Sequence, residues 1–228
     1  MMVRKMADVK SKRSTRADRA AQTRLRMARA AYELFTERGY QATTMGDIAD
    51  RAGVAVQTLH FTFGTKAALL QNTYDYAVIG EHEQLPPDQQ PWYKEFLASA
   101  RLEDALEVLV DNVGAVLART APLDDFVRSA AHEPSAARIR SHAEMMRRQA
   151  WTAMIEHLAR RFPLNADVDT KCAVDILMLL MSPTSYQTFV GEYGWTPSQW
   201  RRWCASAITA QLFGKSNHQS QAPRAWPS

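Results

Sequence analysis

Two short amphipathic segments on either side of a single glycine constrain the fold of this chain more than any other feature. Thr44 stands before the first segment and Asp47 follows three residues later, a near match to a helix capping box. Gly53 supplies a backbone that can turn freely between the segments. The second segment has apolar residues at helical spacings, namely Val56, Leu59 and Phe63. Two helices joined through such a turn form a helix-turn-helix.

The outer face of the second segment carries short polar side chains, Gln57, Thr58 and His60. In a helix-turn-helix the second helix can lie in a DNA major groove, where polar side chains contact base edges. The pattern therefore predicts a recognition helix at about residues 55–62. Helix-turn-helix folds that do not bind DNA remain the alternative interpretation of the pattern alone.

The motif belongs to a wider pattern made of Ala31, Leu34, Phe35, Gly39, Tyr40, Thr43, Thr44, Ile48-Ala49, Ala52-Gly53-Val54, Thr58-Leu59, Phe63-Gly64-Thr65-Lys66 and Leu69. Over about residues 20–70 this pattern resembles the DNA-binding domain of TetR-type transcriptional regulators. Two positions depart from the family pattern: Ala55 replaces a helix-capping Ser, and His60 replaces a Tyr that contacts phosphate. His60 can still donate a hydrogen bond, depending on its tautomer.

Basic charge is concentrated beside this motif. Residues 1–30 hold ten Lys or Arg against two Asp, a net charge of +8, whereas the whole chain carries +4. A basic block next to a helix-turn-helix favours a DNA-contacting arm over a merely solvated tail. We therefore expect Arg13, Arg16 and Arg24 to contact DNA as part of this arm. We expect Thr44, Thr62 and Lys66 to position the domain by contacts to the phosphate backbone of the DNA.

Enzyme, metal and membrane classes find no support in the sequence. The six His and two Cys form no His-Glu-x-x-His or Cys-x-x-Cys pair, and the glycines form no phosphate loop or nucleophile elbow. The longest apolar run, residues 172–181, is too short to span a bilayer. The N-terminus lacks the apolar core of a signal peptide. The sequence therefore predicts a cytoplasmic protein without catalytic residues, metal or cofactor.

Helical periodicity continues almost throughout, so we predict an all-α fold with two domains. A basic arm at 1–18 precedes a three-helix DNA-binding domain at 19–66, a larger helical domain at 67–214 and a tail at 215–228. The prolines between Leu85 and Pro91 indicate a loop, and Pro122 indicates the start of a separate short helix. Helices are expected at about 19–38, 65–81, 102–119, 135–162, 167–182, 184–192 and 198–213.

The family resemblance implies that the larger domain binds an effector and dimerises through its last two long helices. A single short recognition helix contacts few bases, which independently favours a dimer that binds two half-sites. The alternative is that the apolar stripes of these helices only fill the core of one chain. The candidate interface residues are Val174, Leu177, Met178, Met181, Trp200, Trp203, Ile208 and Leu212.

Aromatic, Met and His side chains in the larger domain are candidates for an effector pocket, because helical bundles bind ligands between helices. They are Phe126, His142, Met145, Met146, Trp151 and Tyr186, and ordinary core packing is the alternative role for each. The sequence as a whole predicts a homodimeric repressor that binds a palindromic DNA operator and is released by a small molecule. A DNA-architectural or protein-interaction module without an effector is the alternative.

Overall fold

The computed structural model describes residues 16–80, 85, 89–129 and 134–214, and every regular element of more than one residue in these ranges is helical. The predicted arm residue Arg13 and the tail 215–228 lie outside the described residues. The helices are α1 Arg16–Arg38, α2 Met45–Ala52, α3 Val56–Phe63, α4 Lys66–Ile79, α5 Pro91–Ala98, α6 Leu102–Ser129, α7 Pro134–Ala159, α8 Thr170–Leu180, α9 Pro183–Tyr186, a π-helix Gln187–Glu192 and α10 Pro197–Leu212.

The chain divides into two compact units, and the boundary between Thr73 and Tyr74 lies within α4. In the first unit, α1 packs on α2 and α2 packs on α3. Its apolar core has no solvent exposure at Phe35, Ile48 and Leu59. The all-α prediction is confirmed, and the first four helices have nearly the predicted bounds.

An ion-pair network joins α1 to α2. The guanidinium of Arg51 contacts Glu33 and Glu37, each at 3.1 Å, while Arg29 contacts Glu33 at 3.0 Å. All four side chains keep contact with solvent, so the network contributes modestly to stability. It links α2 to α1 at solvent-exposed positions, outside the buried apolar core.

The second unit has one core to which α5, α6, α7, α8 and α10 all contribute. Among the largest fully buried side chains are Phe96, Leu106, Ile155 and Trp200. Asp169 caps α8, and Thr196 and Gln199 form a capping box at the start of α10. These local signals explain why both helices begin within a few residues of the predicted starts.

The expected break at Pro122 is wrong, because α6 runs through it as a single helix. Proline cannot donate a hydrogen bond to the carbonyl four residues earlier, which ordinarily ends a helix. Here Ala121 and Leu123, on either side of the proline, are buried in the protein. Their packing offsets the local cost, so tertiary contacts overrule the local signal.

Two further expectations are corrected by the structure. Pro91 opens α5 instead of ending a loop, and it occupies the first-turn position that suits proline. The helix expected at 184–192 is instead the short α9 followed by the π-helix. Phe189, on the π-helix, packs against the rings of Trp195 and Trp203, each at a centroid distance of 4.6 Å. None of the described helices is long and apolar enough to cross a membrane.

Acid should destabilise the first unit through its ion-pair network. Hydrogen bonds from Arg29 and Arg51 lower the pKa of Glu33, and Arg51 lowers that of Glu37, from an ordinary value of 4.5. A carboxyl group whose pKa is lower in the folded protein stabilises it above the unfolded pKa. That contribution disappears as the pH falls through the folded pKa.

We therefore expect the melting temperature to fall as the pH drops below about 4.5. A Glu33→Gln/Glu37→Gln variant should melt lower at neutral pH and lose less on acidification. Circular dichroism of both proteins between pH 7 and 3 measures this difference. Parallel pH profiles for the two proteins would contradict the assignment.

Candidate functional site

The turn between α2 and α3 has the geometry that its residues predict. Thr44 Oγ1 accepts a hydrogen bond from the Asp47 backbone N–H at 3.1 Å, and Asp47 Oδ2 accepts one from the Thr44 N–H at 2.8 Å. This reciprocal pair is the predicted capping box. Gly53 ends α2 at φ 64°, in the left-handed region that disfavours other residues. The turn thereby sets the direction in which α3 leaves α2.

One face of α3 is buried and the opposite face is open to solvent. Leu59 and Phe63 pack into the first unit, whereas Gln57, Thr58 and His60 are exposed, as predicted. Phe61 is 94 % exposed, which places a full aromatic ring in water on the same open side. Phe61 is not among the candidate residues that the sequence pattern indicated. Its position four residues after Gln57, on the same helix face, was the available signal.

His60 makes a hydrogen bond that fixes its tautomer. Its Nδ1 lies 3.1 Å from the carbonyl oxygen of Gly64, and a carbonyl can only accept. Nδ1 must therefore carry the proton, so Nε2 of the neutral ring is an acceptor. An acceptor on this face suits an amino group on a base edge better than a phosphate oxygen.

Thr44 and Thr62 are predicted to contact the DNA phosphate backbone, but their hydroxyl groups already make hydrogen bonds within the protein. Thr44 Oγ1 donates to Asp47 Oδ2 at 2.6 Å, and Thr62 Oγ1 donates to the Thr58 carbonyl at 2.8 Å. Both oxygens retain acceptor capacity but have used their proton. A hydrogen bond to a phosphate oxygen would require either hydroxyl to exchange its partner.

Lys66 holds the loop between α1 and α2, a role that the sequence did not indicate. Its Nζ donates to the carbonyl oxygens of Tyr40 and Thr43, both at 2.9 Å, and lies 4.3 Å from the centre of the Tyr40 ring. Thr43 is buried, and its hydroxyl donates to the carbonyls of Leu34 and Gly39. These bonds position the loop that leads to the Thr44 cap.

Two other arginines are predicted to contact DNA, Arg24 and Arg16, and the structure describes the side chain of Arg24 only. Arg24, on α1, is exposed and its guanidinium lies 5.0 Å above the ring of Phe63. That cation–π contact places a positive charge beside the end of α3. Arg16 begins α1, but its side chain is outside the described set.

A second candidate site is a cavity of about 180 Å³ within the second unit. Its lining combines charged groups, hydroxyl groups and apolar groups from α4, α6, α7, α8 and α9. The charged and tyrosine side chains of the lining are Tyr74, Asp124, Arg140, Glu144 and Arg147.

The six side chains predicted to bind an effector do not line this cavity. Of these six, Trp151 and Tyr186 are buried and Phe126 is half-buried, whereas His142, Met145 and Met146 are exposed on α7. The sequence pattern indicated aromatic and Met residues, whereas the observed lining combines charged and hydroxyl side chains with apolar ones.

The predicted dimer residues are mostly buried within one chain. Met178 and Trp203 are half-buried, while the fully buried set comprises Val174, Leu177, Met181, Trp200, Ile208 and Leu212. On the outer side of α8, Leu179 is 72 % exposed. The apolar stripes thus contribute to the core of a single chain, and their pairing with a second copy stays a prediction.

No group of three metal-ligating side chains is assembled among the residues that the structure describes.

By sequence, residues 28–73 match the family model described as bacterial regulatory proteins of the tetR family. This segment contains the whole helix-turn-helix. No curated protein matches the chain by sequence.

Solved structures share the fold over most of the chain. A TetR transcription regulator from Haloarcula marismortui is 18 % identical, with a TM-score of 0.61, and 84 % of this chain covers 99 % of that one. NalD, the secondary repressor of the MexAB-OprM efflux pump in Pseudomonas aeruginosa, has 18 % identity, a TM-score of 0.61 and coverage of 86 % and 99 %. A protein from Saccharomonospora viridis, solved in complex with choline, has 19 % identity, a TM-score of 0.64 and coverage of 86 % and 100 %.

Replacing Lys66 should destabilise the first unit. Lys66→Met removes two charge-assisted hydrogen bonds and leaves the carbonyls of Tyr40 and Thr43 without their ammonium donor. We expect a loss of about 2 kcal/mol in the free energy of unfolding, measured by urea denaturation. Arg26→Met, on the exposed side of α1, is the matched control and should cost far less. Equal losses in the two variants would remove Lys66 from this positioning role.

Proposed function

We infer from these matches that the chain is a TetR-family transcriptional regulator, and we propose that it binds a palindromic operator as a homodimer. The open face of α3 is the observation that carries this proposal. It presents Gln57, Thr58 and His60 to solvent while the opposite face is buried in the first unit. A helix held in this way can enter a major groove without breaking the contacts between its buried face and the first unit.

The proposed DNA contacts follow from the chemistry of each side chain. The amide of Gln57 can pair with adenine through two hydrogen bonds, and Thr58 can contact either kind of base. His60 Nε2 can accept from an amino group. Thr44, Thr62 and Lys66 would position the domain on the phosphate backbone. Lys66 would contribute partly through the loop it holds, in addition to its charge.

Basic residues of the arm add attraction that does not depend on sequence. The charge of +8 within residues 1–30 stands against −4 for the rest of the chain. Arg13, Arg16 and Arg24 would contact phosphates beside the major-groove site, as charged arms do in other helix-turn-helix proteins. Such contacts make affinity fall as salt concentration rises.

A dimer supplies the specificity that one short helix lacks. A two-fold dimer places two copies of α3 on half-sites roughly 34 Å, or a multiple of it, apart along the duplex. The exposed side of α8, with Leu179, offers apolar surface for pairing beside the predicted interface residues. A palindromic operator follows from this symmetry.

We propose that a small molecule releases the repressor from its operator. The structure from Saccharomonospora viridis holds choline, which supports small-molecule binding by proteins of this fold. NalD is a repressor, which supports the same direction of control here. Here the cavity includes Tyr74 of α4, and α4 begins at Lys66 in the first unit. A ligand can shift DNA binding only by the difference in its affinity for the two states.

Selection of DNA from a random duplex library, at two salt concentrations, tests the core of this proposal. An enriched palindrome would support specific binding by a dimer. Binding without enrichment that disappears at higher salt would leave only the attraction of the basic arm. In that case the alternative of an architectural or interaction module would be favoured.

The Gln57→Ala variant should lose base preference but keep its attraction to phosphates. A bidentate contact to adenine is worth on the order of 1–3 kcal/mol in discrimination. We expect selection at one position of each half-site to relax, while the slope of affinity against salt stays the same. Repeating the library selection with the variant measures both quantities. Identical enriched sites for the two proteins would remove Gln57 from base recognition.

A further inference from the structure

We propose that the cavity in the second unit binds a small monocarboxylic acid with a short apolar chain, anchored by Arg147. This inference rests on the proposed regulatory function, because it names the chemical class of the effector. It starts from the hydrogen-bond partners of the charged groups that line the cavity.

Most of those charged groups are already satisfied within the protein. Arg140 pairs with Glu144 at 3.0 Å on successive turns of α7. Asp124 accepts a hydrogen bond from the Tyr74 hydroxyl at 3.0 Å. Burial raises the pKa of Tyr74, so this hydroxyl keeps its proton and remains a donor. These pairs need no ligand.

Arg147 is the exception in the lining. Its Nε is buried and finds no hydrogen-bond partner among the residues that the structure describes. A guanidinium without an acceptor is unfavourable in a partly enclosed site, so the site favours a ligand that supplies an acceptor to the accessible part of the Arg147 side chain. A carboxylate is the best match to a guanidinium, because its two oxygens can accept parallel hydrogen bonds.

The other lining groups limit the charge and shape of the ligand. Because Arg140 already pairs with Glu144, Arg147 is the counter-charge for one ligand carboxylate, and a second negative charge on the ligand would face the carboxylates of Asp124 and Glu144. Val127, Met178 and Pro183 provide an apolar wall for a short chain. The volume of about 180 Å³ restricts the ligand to a small molecule.

Binding is tested on the full chain with acetate, butyrate, hexanoate and benzoate as probes. Their amides, the dicarboxylate succinate and the cation choline serve as comparisons, and isothermal titration calorimetry measures affinity. We expect at least one monocarboxylate to bind, and to bind about tenfold or more tightly than its amide. Equal affinity for acid and amide, tighter binding of choline or succinate, or no binding of any acid would overturn the proposal.

Two α7 variants locate the binding site. Arg147→Met should weaken binding of the selected acid about tenfold or more, whereas Arg138→Met, an exposed arginine on the same helix, should leave it unchanged. The comparison of acid with amide needs only the unmodified chain, so it holds even if a variant folds poorly. Equal affinities of the two variants would overturn the role of Arg147.

Operator affinity separates this inference from the function on which it rests. An acid that binds through Arg147 without changing operator affinity would leave the ligand class standing and overturn release by an effector. A different compound that releases DNA while no acid binds would overturn the ligand class alone.

A second, independent inference concerns Phe61. The structure assigns this residue to recognition of a thymine methyl group in the operator. The ring is 94 % exposed on α3 and lies one turn from Gln57, so it shares the face proposed to enter the major groove. The thymine methyl is the apolar group that a base pair presents there, and phenylalanine is among the side chains that contact it.

Replacing thymine by uracil removes only this methyl group. In the operator selected by the full chain, we expect one uracil substitution in a single half-site to weaken binding about fourfold, the value of one buried methyl group. In Phe61→Ala the same substitution should have no effect. Because the ring is exposed, the variant should melt at nearly the temperature of the parent protein, which serves as the folding control.

The two affinities distinguish the outcomes. Equal sensitivity to uracil in the parent and in Phe61→Ala would overturn the contact, as would a parent that is insensitive at every thymine. A library selection that enriches no site at all would overturn the DNA-binding function together with this inference.

Discussion

The structure of the first unit depends on burying one face of two helices that are too short to be stable alone. α2 and α3 have eight residues each, well below the length at which an isolated helix persists in water. Ile48 and Leu59 are fully buried where these helices pack against the rest of the unit. Gly53 sets the angle between the two helices. The buried face thus fixes which side of α3 remains exposed to solvent.

Most of the polar side chains around the open face of α3 also make hydrogen bonds within the chain. Lys66 holds the loop before α2, and Thr44 caps α2. His60 bonds to the carbonyl that follows α3, which in the neutral ring leaves its other nitrogen as an acceptor. In the proposed complex with DNA, side chains that are already ordered lose less entropy on binding, which favours affinity. Base discrimination in that complex is proposed chiefly for Gln57 and Phe61.

Local signals predicted some elements well and failed where packing decides. The Thr44–Asp47 box and the turn at Gly53 involve residues within a few positions of one another, so the sequence was sufficient for both. The helix break expected at Pro122 was wrong, because α6 is stabilised by contacts from distant segments. The charged and tyrosine groups of the cavity lining lie on α4, α6 and α7, and no local pattern could bring Tyr74 to Asp124.

The sequence by itself determined the helical class, the helix-turn-helix and the basic charge beside it, because periodicity, capping residues and charge are properties of short segments. Only the tertiary structure decided that Lys66 holds a loop, that Phe61 stands in solvent and that Arg147, whose Nε has no hydrogen-bond partner among the described residues, lines a cavity. Burial and hydrogen-bond partners depend on residues far apart in the chain. Their positions exist only after the helices have packed.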